Sequence, residues 1–133
     1  MKAMYIFEFD VCEKRRFTFT EKGKTSGFKV RNENIKIGET KNFKKRWESY
    51  KKDYFCNFCN CGKLQVKKYK VWEVNFGKKI RTSIEEEIKR EFPHLHKGGK
   101  LDYFEINGKS DIEKIKNKMQ ELIDQKNSNK FKD

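Results

Sequence analysis

No stretch of this 133-residue sequence is apolar enough to cross a bilayer. Its start, from Met1 through Glu8, lacks the uninterrupted apolar segment of a secretory signal. Neither a strongly amphipathic membrane helix nor a lipidation signal stands out, so no membrane partner is expected and a cytoplasmic chain with reduced cysteines is. A glycine-rich phosphate loop is missing, which argues against a nucleotide cofactor, and no Ser-His-Asp set can be assembled. Internal repeats are absent. Acidic residues are in short supply, with Asp plus Glu at 20 against 33 for Lys plus Arg, a formal +13. Such a field attracts polyanions, nucleic acid first among them. Hydrophobic residues make up only 35%, but 14% of the chain is aromatic, so a single domain with a small aromatic-rich core is expected rather than disorder.

What is present is organised around residues 35–50. Residues 35–38 read as a short strand ending in glycine, followed by a turn and an amphipathic helix. Thr40 or Asn42 can cap that helix by accepting from amides of its first turn. Phe43, Trp47, Tyr50 and Tyr54 fall on one helix face, with Arg46 beside them among Lys44, Lys45, Lys51 and Lys52. Gly38 lets another group approach the backbone closely, and a helix N-terminus favours an anion. An ordinary strand-to-helix corner with a solvated basic face would give the same pattern.

Before it, residues 4–11 alternate with Tyr5, Phe7 and Phe9 on one face, predicting a strand buried on that face. Residues 16–20 predict a second strand after the charged turn at Glu13, Lys14 and Arg15, residues 21–27 a polar loop, and residues 28–31 a third strand. Lys14, Arg15, Arg16, Lys22 and Lys24 would then sit at hairpin tips, available either to track a phosphate backbone or simply to keep loops soluble. After the organising stretch, Cys56, Cys59 and Cys61 have a C-x-x-C-x-C spacing that can place several sulfurs around a structural Zn²⁺, completed by Cys12, His94 or His96. A cluster of reduced thiols with no ligand fits as well.

Residues 64–76 predict the strongest strand, with Trp72, Val74 and Phe76 on one side. Thr82 and Ser83 open a predicted helix over 84–92 that stops before Pro93, with Ser83 and Glu86 in capping-box spacing. Ile84, Ile88 and Phe92 form its buried face, which Glu85 borders. Residues 102–106 predict a short closing strand. Ser110 and Glu113 suggest a second capping box for a last helix with the stripe Ile112, Ile115, Met119, Leu122 and Ile123. Residues 1–124 thus form one expected domain and 125–133 a polar tail.

In this order the pieces resemble the GIY-YIG nuclease domain, in particular its phage and large-virus branch with a Lys-Ile-Gly second motif. The resemblance rests on Lys36-Ile37-Gly38-Glu39-Thr40 with Phe43 and Arg46, on Glu85-Glu86-Glu87-Ile88-Lys89 as the E-x-x-I-K helix start, and on Phe104-Glu105-Ile106 as the closing strand. It covers roughly residues 4–106 in pieces. It implies an α+β fold, a small central antiparallel sheet flanked by helices, with an enlarged N-terminal hairpin and a Cys-rich insertion. It further implies an endonuclease in which Glu85 holds one Mg²⁺ or Mn²⁺, Arg46 clamps the scissile phosphate, and Tyr5 stands near the attacking water. Lys36 replaces the second motif's tyrosine, and a second register would put Phe7 in the place of Tyr5. Lys14, Arg15, Arg16, Lys41, Lys44 and Lys45 are the expected contacts to DNA, or to RNA. An inactive nucleic-acid-binding module on the same fold and a basic protein-interaction domain are the alternatives.

Overall fold

The computed structural model describes residues 1–10, 15–21, 24–30, 34–53, 55–56, 64–96, 103–106 and 108–129. Strand β1 (Ala3–Asp10) lies at the centre of a sheet, with β4 (Asn34–Thr40) antiparallel on one side and β6 (Leu64–Glu73) antiparallel on the other. Beyond β4 comes β7 (Tyr103–Glu105), also antiparallel, and beyond β6 a two-residue parallel strand β5 (Phe55–Cys56). The hairpin of β2 (Arg15–Glu21) and β3 (Lys24–Val30) forms its own two-stranded sheet. Helix α1 is Phe43–Asp53, α2 is Lys78–Glu91 and α3 is Lys109–Asn129. The protein is thus α+β: among the described residues, four antiparallel strands extended by the short parallel β5, a separate hairpin and three helices.

Apolar layers cover both faces of β1. Tyr5, Phe7 and Phe9 pack with Tyr50, Val66 and Tyr103 on one face, where α1 adds Phe43 and Trp47. Met4 and Ile6 face the other way, into a core with Ile35, Ile37, Trp72, Ile84, Ile88 and the stripe Ile115, Met119, Leu122 and Ile123 of α3. The expected single buried face of β1 is therefore corrected: a central strand between helical layers is dry on both sides. Each fully buried large side chain contributes roughly 1.5–3 kcal/mol relative to its exposed state. A bulge opposite Glu8 and Phe9 shifts the β6 register, so that Val66 pairs with Phe9 instead of continuing the alternation set by Tyr69 and Val71. Val66 joins the aromatic face as a result.

The loop expected over 21–27 is largely strand. The hairpin register runs from Arg15 opposite Val30 to Glu21 opposite Lys24, so β3 begins at Lys24. Arg15 and Arg16 stand at the open end of this hairpin and not at its tip, which corrects their expected placement; Lys14 and Lys22 lie outside the described residues. Both predicted capping boxes fail. Helix α2 starts at Lys78 with Gly77 as its N-cap and no side-chain cap, and Ser83 lies inside it, donating from Oγ to the Ile80 carbonyl at 2.7 Å. Helix α3 starts at Lys109, after Gly108, whose carbonyl accepts from the Asp111 amide at 3.1 Å. Nothing in residues 78–83 opposes a helix, so each helix begins where the glycine ends and does not wait for the first serine or threonine. Likewise α3 continues through Asn129, well into the segment expected to be a tail. Among the described residues, no helix is long and apolar enough to cross a membrane.

Candidate active site

The turn from β4 into α1 is built locally. Thr40 Oγ1 accepts from the Asn42 amide at 3.1 Å, and Asn42 Oδ1 accepts from the Lys45 amide at 3.2 Å. Asn42 is thus the N-cap and Thr40 tightens the turn before it. This fixes the phase of α1 so that Phe43, Trp47 and Tyr50 face the sheet. Tyr5 stacks on Phe7 at 4.8 Å between ring centroids and meets Phe43 at 5.7 Å.

Gly38 is opposite Tyr5 in the β1–β4 register. A Cβ at this position would collide with Cζ, Oη and Cε2 of the Tyr5 ring. The close approach that the glycine permits is therefore that of a neighbouring aromatic ring lying across the strand, and the strand continues past it to Thr40. Tyr5, not Phe7, is the residue held over Gly38; Phe7 is opposite Lys36.

The Tyr5 hydroxyl lies 3.1 Å from that of Tyr50. Burial first, and then the charge and hydrogen bond of Tyr50, hold the Tyr5 phenol well above its ordinary value of 10.0, with Glu85 pushing the same way and Arg46 opposing. Burial pulls the Arg46 guanidinium down, but Tyr5, Tyr50 and Glu39 outweigh that and leave it above its ordinary value. The Arg46 Cζ is 5.9 Å from the Tyr50 ring centroid, so the guanidinium lies over the ring that partners Tyr5. Tyr5, Arg46 and Glu85, from β1, α1 and α2, accordingly share one electrostatic neighbourhood.

Glu85 is 8% exposed and lies on the buried stripe Arg81, Ile84, Glu85 and Ile88 of α2. It is the eighth residue of a 14-residue helix, which corrects its expected place at a helix start. Macrodipole preference at an N-terminus does not account for a glutamate two turns in. On the same stripe, Arg81 is 4% exposed and donates from Nε to Glu39 Oε2 at 2.7 Å and from Nη1 to the Phe76 carbonyl at 3.0 Å. Lys36, 2% exposed, places its Nζ 4.5 Å from the Tyr103 ring centroid and 5.8 Å from that of Tyr50. A cation between two aromatic faces is attracted by their quadrupoles.

Sequence patterns do not single out Glu39, Arg81 or the role of Tyr50. Tyr50 is legible there only as one more aromatic on the α1 stripe, although its hydroxyl is the signal. Arg81 falls before a helix expected to open at Thr82 or Ser83; with the true start at Lys78, its spacing to Ile84, Glu85 and Ile88 marks a charged residue on a buried face. Of the expected nucleic-acid contacts, Lys41, Lys44 and Lys45 are exposed around the start of α1. Of the expected zinc ligands, Cys56 falls in β5, while Cys12, Cys59 and Cys61 lie outside the described residues. His94 is exposed, and the His96 ring packs 5.3 Å from Phe104.

No family model, no curated protein and no solved structure matches this chain.

Proposed function

We propose that this protein is a GIY-YIG-type, metal-dependent endonuclease that hydrolyses phosphodiester bonds in nucleic acid, DNA in the first instance. The observation that carries the reading is a carboxylate, Glu85, retained on the core-facing stripe of α2, with Arg46 of α1 over the ring that partners Tyr5 of β1 and both charges acting on the Tyr5 phenol. An ionisable carboxylate kept at 8% exposure, and close enough to act on the Tyr5 phenol, is the kind of group that marks a functional site. The order of these residues along the chain is that of the family named above.

The donor chemistry fits a hard divalent cation: Glu85 supplies one carboxylate, and Mg²⁺ commonly takes one or two together with water and phosphate oxygens. Bound there, the metal would polarise the scissile phosphate and stabilise the leaving oxygen. Arg46 stays charged throughout, so it offsets negative charge that grows on the phosphoryl oxygens. Tyr5 is 1% exposed and stays protonated near neutrality, so it acts on the reaction through its neighbours. Its hydroxyl pairs with that of Tyr50, whose ring lies against the Arg46 guanidinium; Tyr5 is a positioning residue in this scheme. Glu39 and Arg81 brace the end of β4 against α2, which sets the distance between Arg46 and Glu85. Lys36 adds positive charge beneath Tyr50 where the family pattern has a phenol. The exposed Lys41, Lys44 and Lys45 supply sequence-independent affinity through counterion release.

The test is cleavage of supercoiled plasmid with Mg²⁺, Mn²⁺ or EDTA, comparing the native chain with Glu85→Gln and Arg46→Ala. Metal-dependent nicking lost in both variants supports the reading. Binding without cleavage on plasmid and branched substrates would replace it with an inactive binding module, the role that the missing second-motif tyrosine would favour.

A further inference from the structure

Tyr69 is 49% exposed on β6, on the face that α1 covers, at a position paired with Phe7 of β1 and beyond the two residues that pair with β5. Its ring is 5.5 Å from that of Trp47 and 5.8 Å from that of Phe43, both only partly buried on α1, and meets Phe7 edge-on at 6.0 Å. Phe43 in turn contacts Tyr5. A continuous path of rings thus leads from solvent at Tyr69 to the site at Tyr5. Core packing explains Phe7 at the inner end of this path. It leaves unexplained a half-exposed tyrosine whose flat ring is braced from behind by two further aromatics.

The charges beside the path are mainly positive, with Glu48 the acidic residue between the lysines on this side of α1. Lys51 Nζ lies 5.7 Å from the Trp47 ring centroid, and Lys44, exposed, is one turn before Trp47 on the same side of α1. A braced, exposed ring with cations around it satisfies the two requirements of single-strand recognition: a π-face for a base and positive charge for the adjacent phosphates. A protein partner reading the same patch would have to present acidic groups around an apolar centre, whereas a nucleotide carries its anion and its flat apolar face in one unit. The overall +13 charge favours the polyanion.

We infer that Tyr69, backed by Trp47 and Phe43 and flanked by Lys44 and Lys51, is a stacking platform for an unpaired nucleobase of the substrate strand next to the candidate active site. This rests on the nucleic-acid part of the function proposed above and deepens it: the preferred substrate carries unpaired bases close to the bond that is cut. DNA and RNA share the recognising chemistry.

The test is binding in EDTA, where no cleavage interferes, measured by fluorescence anisotropy with labelled oligothymidylate, oligouridylate and an abasic DNA strand of equal length and charge. The native chain binds the two base-bearing strands about tenfold or more tightly than the abasic one. Tyr69→Leu, which keeps apolar packing without a flat ring, lowers affinity for the base-bearing strands to the abasic level, while Tyr69→Phe keeps it. Equal affinity of the native chain for abasic and base-bearing strands overturns the platform, without reliance on any variant. So does native-like single-strand binding by a folded Tyr69→Leu chain. If plasmid is cut in a Glu85-dependent manner despite either result, the platform falls and the nuclease stands. Tyr69-dependent binding by a chain that cuts nothing leaves the platform standing and removes the nuclease.

Discussion

The hydroxyls of Tyr5 and Tyr50 stand 3.1 Å apart and join the central strand to the helix that carries Arg46. Neither phenol is exposed to solvent beyond a few per cent, so each is the other's natural hydrogen-bond partner inside an otherwise aromatic layer. The Tyr50 ring held by this pairing lies 5.9 Å from the Cζ of half-buried Arg46, so the central strand bears on the arginine through α1.

Tyr5→Phe separates the structural and ionic parts of that pairing. At neutral pH the variant loses roughly 0.5–1.5 kcal/mol, the usual net worth of one hydrogen bond. In the native chain the folded-state value of Tyr5 is raised, by burial first and then by Tyr50. The unfolded chain therefore releases this proton at lower pH than the folded one. The associated stability is intact below about pH 10 and declines as the pH climbs toward the raised folded value. Melting curves across that range show native stability falling more steeply than that of Tyr5→Phe, so the two approach one another. Parallel curves would mean that Tyr5 ionises as freely in the fold as outside it.

Gly38→Ala tests the approach of the Tyr5 ring to the neighbouring strand. The new methyl overlaps the ring atoms, so either Tyr5 or the strand must move. Overpacking of this kind costs about 1–3 kcal/mol, and the displaced phenol no longer aligns Tyr50. Loss of cleavage should exceed what the drop in melting temperature explains. Combining Gly38→Ala with Tyr5→Ala removes the overlap, so the double variant loses less stability than the two single variants together. Strict additivity of the two substitutions would refute the clash.

The Arg81–Glu39 pair is 2.7 Å long, with side chains 4% and 12% exposed. Removing one partner of such a buried pair strands a charge, at about 3–5 kcal/mol, whereas apolar replacement of both is often close to neutral. Arg81→Met alone is expected to be strongly destabilising, and adding Glu39→Leu to recover a large part. Denaturant midpoints for the two single variants and the double variant complete the cycle. The recovery is incomplete because the Phe76 carbonyl loses its donor in either case.

Arg46→Lys distinguishes charge from geometry. A lysine keeps the positive charge but lacks the planar fork that can engage Tyr50 and a phosphate together. Cleavage is expected to fall by about 10²–10³ in kcat for Arg46→Ala and by less for the lysine, with fold stability nearly unchanged in the latter. Equal kcat in the native chain and both variants would remove Arg46 from the reaction.

Substituting Lys41, Lys44 and Lys45 together by glutamine should weaken duplex binding at low salt and flatten its salt dependence. Each phosphate that is no longer neutralised reduces the slope of log K against log salt by about 0.9. An unchanged slope would mean that other cations of the chain hold the phosphates.

Elements whose signal is local are legible in the chain alone. The alternation from Tyr5 to Phe9 predicted a strand, the spacing of Phe43, Trp47 and Tyr50 a helix with an aromatic face, and the stripe from Ile112 to Ile123 the last helix, because side-chain periodicity is a property of neighbours in the chain. The stretch containing Lys36, Gly38 and Arg46 was legible for the same reason. What lay outside that range was decided by tertiary structure. Which strand is central, and so why Met4 and Ile6 are as buried as Tyr5, follows from pairing between β1, β4 and β6 across tens of residues. The start of α2 escapes the local pattern because capping preferences are weak and Arg81 finds its partner on another element. That Gly38 makes room for the Tyr5 ring, that Tyr50 answers its hydroxyl, and that Glu85 shares its electrostatic surroundings with Arg46 are all relationships between segments distant in sequence. Local periodicity carries no information about them, because they exist only once the layers have packed.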